Sequence, residues 1–150
     1  IRSVFFDYKE LQVTDKVLRY LLIYKIDFVV LAGFLWLVPE SILKQYEGRI
    51  INIHPALLPK YGGKGMYGEY VHKAVISNHD IESGITVHYV NQQYDGGDII
   101  FQARCKVDPN DTPDSLAQKV HTLEYLHYPR IIEDLIVKLP DCLVKSAEEA

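Results

Sequence analysis

Two short apolar runs separated by one proline-started helix restrict this chain more than anything else in it. Asp27-Phe-Val-Val-Leu-Ala32 and Ile50-Ile-Asn-Ile-His54 are too short for helices and rich in β-branched residues, so both read as strands. Between them Pro39 suits a first helical turn, Ile42, Leu43 and Tyr46 share one face, and Gly48 sits where a helix closes. Strand, helix and strand in that order imply a right-handed parallel crossover. The first run shows no alternation, as expected of a strand buried on both faces of a parallel sheet. The fold class is therefore α/β.

The second run ends in a distinctive way. Side chains alternate along a strand, so Ile51 and Ile53 share one face and Asn52 and His54 the other. Pro55 and Pro59 cannot extend a central strand. An amide and an imidazole are thus carried to the strand end at which open α/β sheets bind ligands. Taken alone, the pair reads better as a strand end whose Asn and His satisfy turn hydrogen bonds.

The remaining elements follow in order. Ser3-Val-Phe-Phe6 reads as a strand. Lys9 to Lys25 reads as a helix with a stripe of Leu11, Val17, Leu18, Leu21 and Leu22, its main body capped by Thr14 or Asp15. Lys60 to Met66 is glycine-dense and cationic, which predicts a mobile loop beside the site, in the manner of a lid. Tyr67 to Ser77 predicts a helix with Val71, Ala74 and Val75 inward, and His72 near the site entrance or solvated. Ser83 to Val90 alternates cleanly, with Ile85, Val87 and Tyr89 on one face and Thr86, His88 and Val90 on the other. Asn91 to Asp98 is turn-rich, and Ile99 to Val107 is a further strand, so the two strands form an antiparallel ribbon and the sheet is mixed. Thr112-Pro113 starts a last helix with Leu116, Val120, Leu123 and His127 on one stripe. Pro129 is expected to end or kink it before Ile131 to Val137 resumes. Ser146 to Ala150 reads as a frayed tail.

Composition narrows the function classes. The 150 residues fit one domain, and 48% apolar with 24% charged residues is an ordinary globular balance. A net charge of −4 argues against a general polyanion-binding surface, so a phosphate ligand needs a local site. Cys105 and Cys142 are isolated and read as reduced thiols outside any metal or redox motif. No apolar run reaches the roughly 18 residues that span a bilayer.

Asn52-Ile-His54-Pro55-Ala-Leu-Leu58-Pro59, followed by Gly62-Gly63 and Asp95-Gly96-Gly97, resembles the folate-dependent formyltransferases, over a span from Asp27 to Pro129. The resemblance implies a Rossmann-like formyltransferase fold: a mostly parallel mixed sheet, helices on both faces and a C-terminal antiparallel β-ribbon. It implies one domain over 1–150 in which the family's N-terminal βαβ portion, with its phosphate-binding glycine turn, is missing ahead of Ile1. It further implies transfer of a formyl group from 10-formyltetrahydrofolate, as co-substrate, to the amine of 5-phosphoribosylglycinamide in purine biosynthesis. The expected setting is cytoplasmic, with small-molecule partners, no nucleic acid, no membrane and no metal, in a monomer or homodimer. A hydrolase releasing formate from the same folate, and a non-catalytic folate or nucleotide-binding module, remain as alternatives.

Formyl transfer needs donors aimed at the formyl oxygen and a group that moves a proton between two nitrogens. The resemblance places these roles on Asn52, His54 and Asp95, with Asp95 holding His54 protonated. Residue patterns alone do not separate Asp95 from Asp98; the family match selects the aspartate before Gly-Gly. Leu35, Trp36, Leu37 and Val38 are implied as a wall of the pterin pocket, with Trp36 where the family often has arginine. Asn91, Gln92, Gln93 and Tyr94 are implied as the loop over the folate, together with Asp95 and Asn52. Gly33, His54, Pro55 and Glu124 are implied for the amine substrate, Glu124 on its ribose hydroxyls. Thr86 is implied near Asn52, and His88 as a support.

Overall fold

Strand β2 (Ile50–His54) lies inside a four-stranded sheet of order β1-β2-β3-β4 in the computed structural model, which describes residues 1–139. Cys142 and the expected tail at Ser146 to Ala150 lie outside the described residues. β1 (Val29–Leu31) pairs with β2 in parallel, and α3 (Glu40–Gln45) connects them as the sequence predicts. β3 (Glu82–Tyr89) pairs antiparallel with β2, and β4 (Ile99–Lys106) antiparallel with β3. The mixed sheet and its β-ribbon are thus present, and the parallel part of the described sheet is the β1–β2 pairing.

Helices cover both faces. Ile51 and Ile53 join Ile85 and Val87 from β3, Val71 and Val75 from α4 (Glu69–Ser77), and Leu116 and Val120 from α5 (Pro113–Val137) in one buried cluster. On the other face Ile50 packs with Leu11 of α1 (Tyr8–Gln12), with Val38, and with Ile42 and Tyr46 of the α3 segment. Val17, Leu18 and Leu21 of α2 (Lys16–Ile23) lie against that second cluster. Period-2 alternation therefore sends successive β2 side chains into two cores, which fixes its register.

Four expectations are corrected. Ser3 to Phe6 is not a strand: it has no ladder partner and leads into a capping box, in which Asp7 accepts from the Glu10 amide and Glu10 from the Asp7 amide. The helix expected over 9–25 is two helices. Thr14 Oγ1 donates to Glu10 O at 2.8 Å and accepts from the Lys16 amide, so side-chain bonding replaces a helical turn there. Strand β1 is not buried on both faces; Val30 is exposed, because β1 has one neighbour among the described strands. Finally, Pro129 does not end the helix but lies inside a continuous α5. The carbonyl deprived of its partner belongs to exposed Tyr125, and Ile131, Ile132 and Leu135 beyond the proline pack on the first cluster. That packing offsets the lost hydrogen bond.

Candidate active site

The register of β2 against β3 builds the site. Asn52 lies opposite His88 and His54 opposite Thr86, so four polar side chains share one face of two adjacent strands. Asn52 Nδ2 lies 3.2 Å from His88 Nε2, and His88 Nδ1 lies 2.8 Å from the Tyr89 carbonyl. A carbonyl only accepts, so His88 carries its proton on Nδ1 and receives one N–H of Asn52 on Nε2. The second N–H of Asn52 remains for the cavity. His88 thus holds one N–H of the Asn52 amide.

Thr86, on the same strand face as His88, also bonds to the chain that follows β2. Its Oγ1 donates to Ala56 O at 2.7 Å and accepts from the Leu58 amide at 3.0 Å and from Gln102 Nε2 at 2.9 Å. Thr86 and Gln102 therefore brace the proline corner after β2. The Leu58–Pro59 peptide in that corner is cis.

Asp95 comes from the turn between β3 and β4. Its φ of 52° is left-handed, a costly conformation for a residue with a side chain and one that concentrates at functional sites. Gly97 follows because a Cβ there would stand 1.7 Å from Tyr89 O. The turn aims the carboxylate at both histidines: Oδ1 lies 3.5 Å from His54 Nδ1 and 3.6 Å from His88 Nε2, while Oδ2 accepts from the Gly63 amide at 3.0 Å. Asp98, which the residue pattern could not exclude, is exposed and contributes its backbone carbonyl to Tyr89.

The electrostatics correct one expectation. His54 is 4% exposed, and burial pushes its pKa below the usual histidine value, against the pull of Asp95 and the Tyr61 carbonyl. The Asp95 charge does not hold His54 as imidazolium in the ligand-free site, because desolvation is the larger effect. For Asp95 burial acts upward, but the neighbouring His88, His54 and Gly63 amide together hold its carboxyl below the usual range. The pair therefore rests as carboxylate and neutral imidazole.

These groups line a cavity of about 610 Å³. Gly33, Leu35, Trp36, Asn52, His54, Pro55, Tyr94, Asp95 and Glu124 all reach it, from four separate segments of chain. Leu37, Val38, Asn91 and Gln93 line a smaller adjoining cavity, which shares Trp36, Asn52, Tyr94 and Asp95 with the first. Gln92 is exposed and lines neither. Burial raises the Glu124 pKa, with His121 on the same helix pulling the other way. His72 also lines the cavity but is not solvated: it is 2% exposed and its Nδ1 has no hydrogen-bond partner. Its position one turn behind the glycine loop, on the inward face of α4, is what buries it.

Sequence reasoning overlooked the roles of Tyr61, Gly63 and Gln102. Gly62-Gly63 was a usable signal: backbone amides in a glycine-rich turn offer unhindered donors to a carboxylate. Nothing in the local pattern marked Gln102, since its partners at Leu58 and Thr86 are 44 and 16 residues away.

The formyl transferase family model matches residues 6–132, most of the chain. This chain belongs to the formyl transferase family. Among similar proteins, the chloroplastic phosphoribosylglycinamide formyltransferase of Arabidopsis thaliana is 48% identical over 109 residues, 73% of this chain and 37% of the plant protein. The phosphoribosylglycinamide formyltransferase of Escherichia coli K12 is 40% identical over 109 residues, 73% of this chain and 49% of the bacterial protein. Among solved structures, that of phosphoribosylglycinamide formyltransferase from Bacillus halodurans superposes with a TM-score of 0.75 at 36% identity, covering 84% of this chain and 62% of that one. This formyl transferase chain thus spans about a third to a half of those two relatives' length.

Proposed function

We propose that the protein transfers a formyl group from 10-formyltetrahydrofolate to the amine of 5-phosphoribosylglycinamide. One observation carries the reading: an amide, an imidazole and a carboxylate converge on one cavity wall, with Glu124 lining the same cavity. The relatives' names point to the same substrate, and a cytoplasmic setting belongs to the proposal, although the Arabidopsis relative is chloroplastic by name.

The residues divide the work as follows. The free N–H of Asn52 donates to the formyl oxygen as negative charge develops there. His54 Nδ1, unprotonated at rest and facing the cavity beside Asp95, takes a proton released as the amine attacks the formyl carbon. The imidazolium so formed is then stabilised by the carboxylate 3.5 Å away. The proton leaves toward the folate nitrogen as its bond to carbon breaks, which restores neutral His54. Trp36, Leu37, Val38 and the Asn91 to Asp95 turn supply a mostly apolar slot for a flat ring, and Gly33, Pro55 and Glu124 face the amine substrate.

The test is formyl transfer measured with purified protein and its His54→Ala and Asp95→Ala variants. Loss of an acid–base group is expected to lower kcat by roughly 10²- to 10⁴-fold. Turnover unchanged in both variants removes this mechanism. Formate release that ignores the amine substrate would replace it with the hydrolase reading.

A further inference from the structure

The backbone carbonyl of Tyr61 decides which nitrogen of His54 faces Asp95. His54 Nε2 lies 2.7 Å from Tyr61 O. Since the carbonyl can only accept, the proton of neutral His54 sits on Nε2, and Nδ1 is left as the lone-pair nitrogen beside the carboxylate. The other tautomer would set N–H against the Asp95 carboxylate and remove the base from the cavity.

Tyr61 holds its carbonyl there from an unfavourable backbone. Its φ is 55°, left-handed for a bulky aromatic residue. Such a conformation persists only where surrounding contacts over-determine it. Tyr61 Oη donates to Asp80 Oδ2 at 2.8 Å and accepts from Asn78 Nδ2 at 2.8 Å, and Lys60 Nζ lies 3.4 Å from the same Asp80 oxygen. On the chain's other side, Gly62 passes so close to Leu58 that a Cβ would stand 2.6 Å from Leu58 Cδ2.

The anchor is itself placed by local structure. Helix α4 ends at Ser77 with Asn78 as its cap, and His79 follows with a φ of 54°. The Asp80 amide donates to Val75 O at 3.2 Å and the His79 amide to Ile76 O at 3.0 Å, the paired bonds of a Schellman turn. That turn sets Asn78 and Asp80 within hydrogen-bond reach of the Tyr61 hydroxyl. The chain of contacts therefore runs from the α4 terminus, through the phenol, to a carbonyl and then to His54.

We propose that Tyr61, anchored by Asp80 and Asn78, is a positioning residue that fixes the His54 tautomer with its proton on Nε2. The tautomer claim stands on these contacts; its catalytic consequence rests on the formyl-transfer reading above. The test is the ¹⁵N spectrum of histidine-labelled protein, with kinetics, for wild type, Tyr61→Phe, Asp80→Ala and Asp80→Asn. In wild type the His54 ring should show protonated Nε2 and unprotonated Nδ1. In Tyr61→Phe and Asp80→Ala it should shift toward a mixture of tautomers, with kcat down roughly tenfold and KM for the amine within about twofold. Asp80→Asn keeps an acceptor for the phenol and should stay near wild type. A wild-type ring with its proton on Nδ1 overturns the proposal without any variant, as does an unchanged tautomer in both disrupting variants. A tautomer shift in a protein that transfers no formyl group in any form sustains the positioning and overturns the reading of the function.

Discussion

His54 and Asp95 show how burial and charge compete at one pair. A carboxylate beside a histidine ordinarily favours imidazolium, and the sequence pattern led to that expectation. The structure reverses it because His54 is enclosed by β2, the Tyr61 carbonyl and the proline corner, and desolvation of the charged form outweighs one nearby negative charge. Residue identities were therefore legible where a motif named them, as for Asn52, His54 and Asp95. Protonation was not, because it depends on enclosure by segments remote in sequence. Trp36 offers a direct check on the pocket. It is the sole tryptophan, lines both adjoining cavities, and meets Phe34 and Tyr8 edge-on at ring separations of 6.0 and 5.5 Å. Binding of a stable formyl-folate analogue is expected to change its fluorescence in a saturable way, with phosphoribosylglycinamide alone producing less change. Emission blind to the analogue, at concentrations that inhibit turnover, would take Trp36 out of the folate site.

The elements were legible where their signals were self-contained. β2 and β3 each carry their own alternation, and α5 announces its start with Thr112-Pro113. Thr112 accepts from the Ser115 amide and Ser115 Oγ from the Thr112 amide, a reciprocal cap. The misread elements were those decided by partners elsewhere: Ser3 to Phe6 lacked a strand to pair with, and the turns after Pro129 were held helical by the core. α5 should accordingly owe more to packing than to capping. Thr112→Ala is expected to lower stability by about 1 kcal/mol. Leu116→Ala, at a fully buried position on the same helix, is expected to cost about 2–5 kcal/mol. Urea denaturation followed by circular dichroism distinguishes them, and equal shifts in midpoint would contradict this account of the helix.

At the scale of the molecule, buried histidines make stability depend on pH in one direction. Burial lowers the pKa of both His54 and His72, so the folded protein keeps them neutral while the unfolded chain takes up protons near 6.5. Their contribution is complete above that value and is lost as pH falls through the lower folded values. Asp95, also lowered in the fold, adds a loss in the same direction at more acid pH, below its ordinary 3.8. Tm is therefore expected to be level from pH 7.5 to 7 and to fall steadily from pH 6.5 to 5. His72→Gln should flatten part of that slope; a Tm that rises on acidification would show that these histidines are not held neutral. The distribution of the site along the chain has a further consequence. Tyr128 Oη donates to Leu31 O at 2.8 Å, joining residues 97 positions apart, and Glu124 stands one turn before it. During synthesis, the cleft would stay open on its α5 side until the ribosome had released the polypeptide well beyond Tyr128. Nascent chains stopped short of that point would carry the Asn52 and His54 corner without Glu124 facing it.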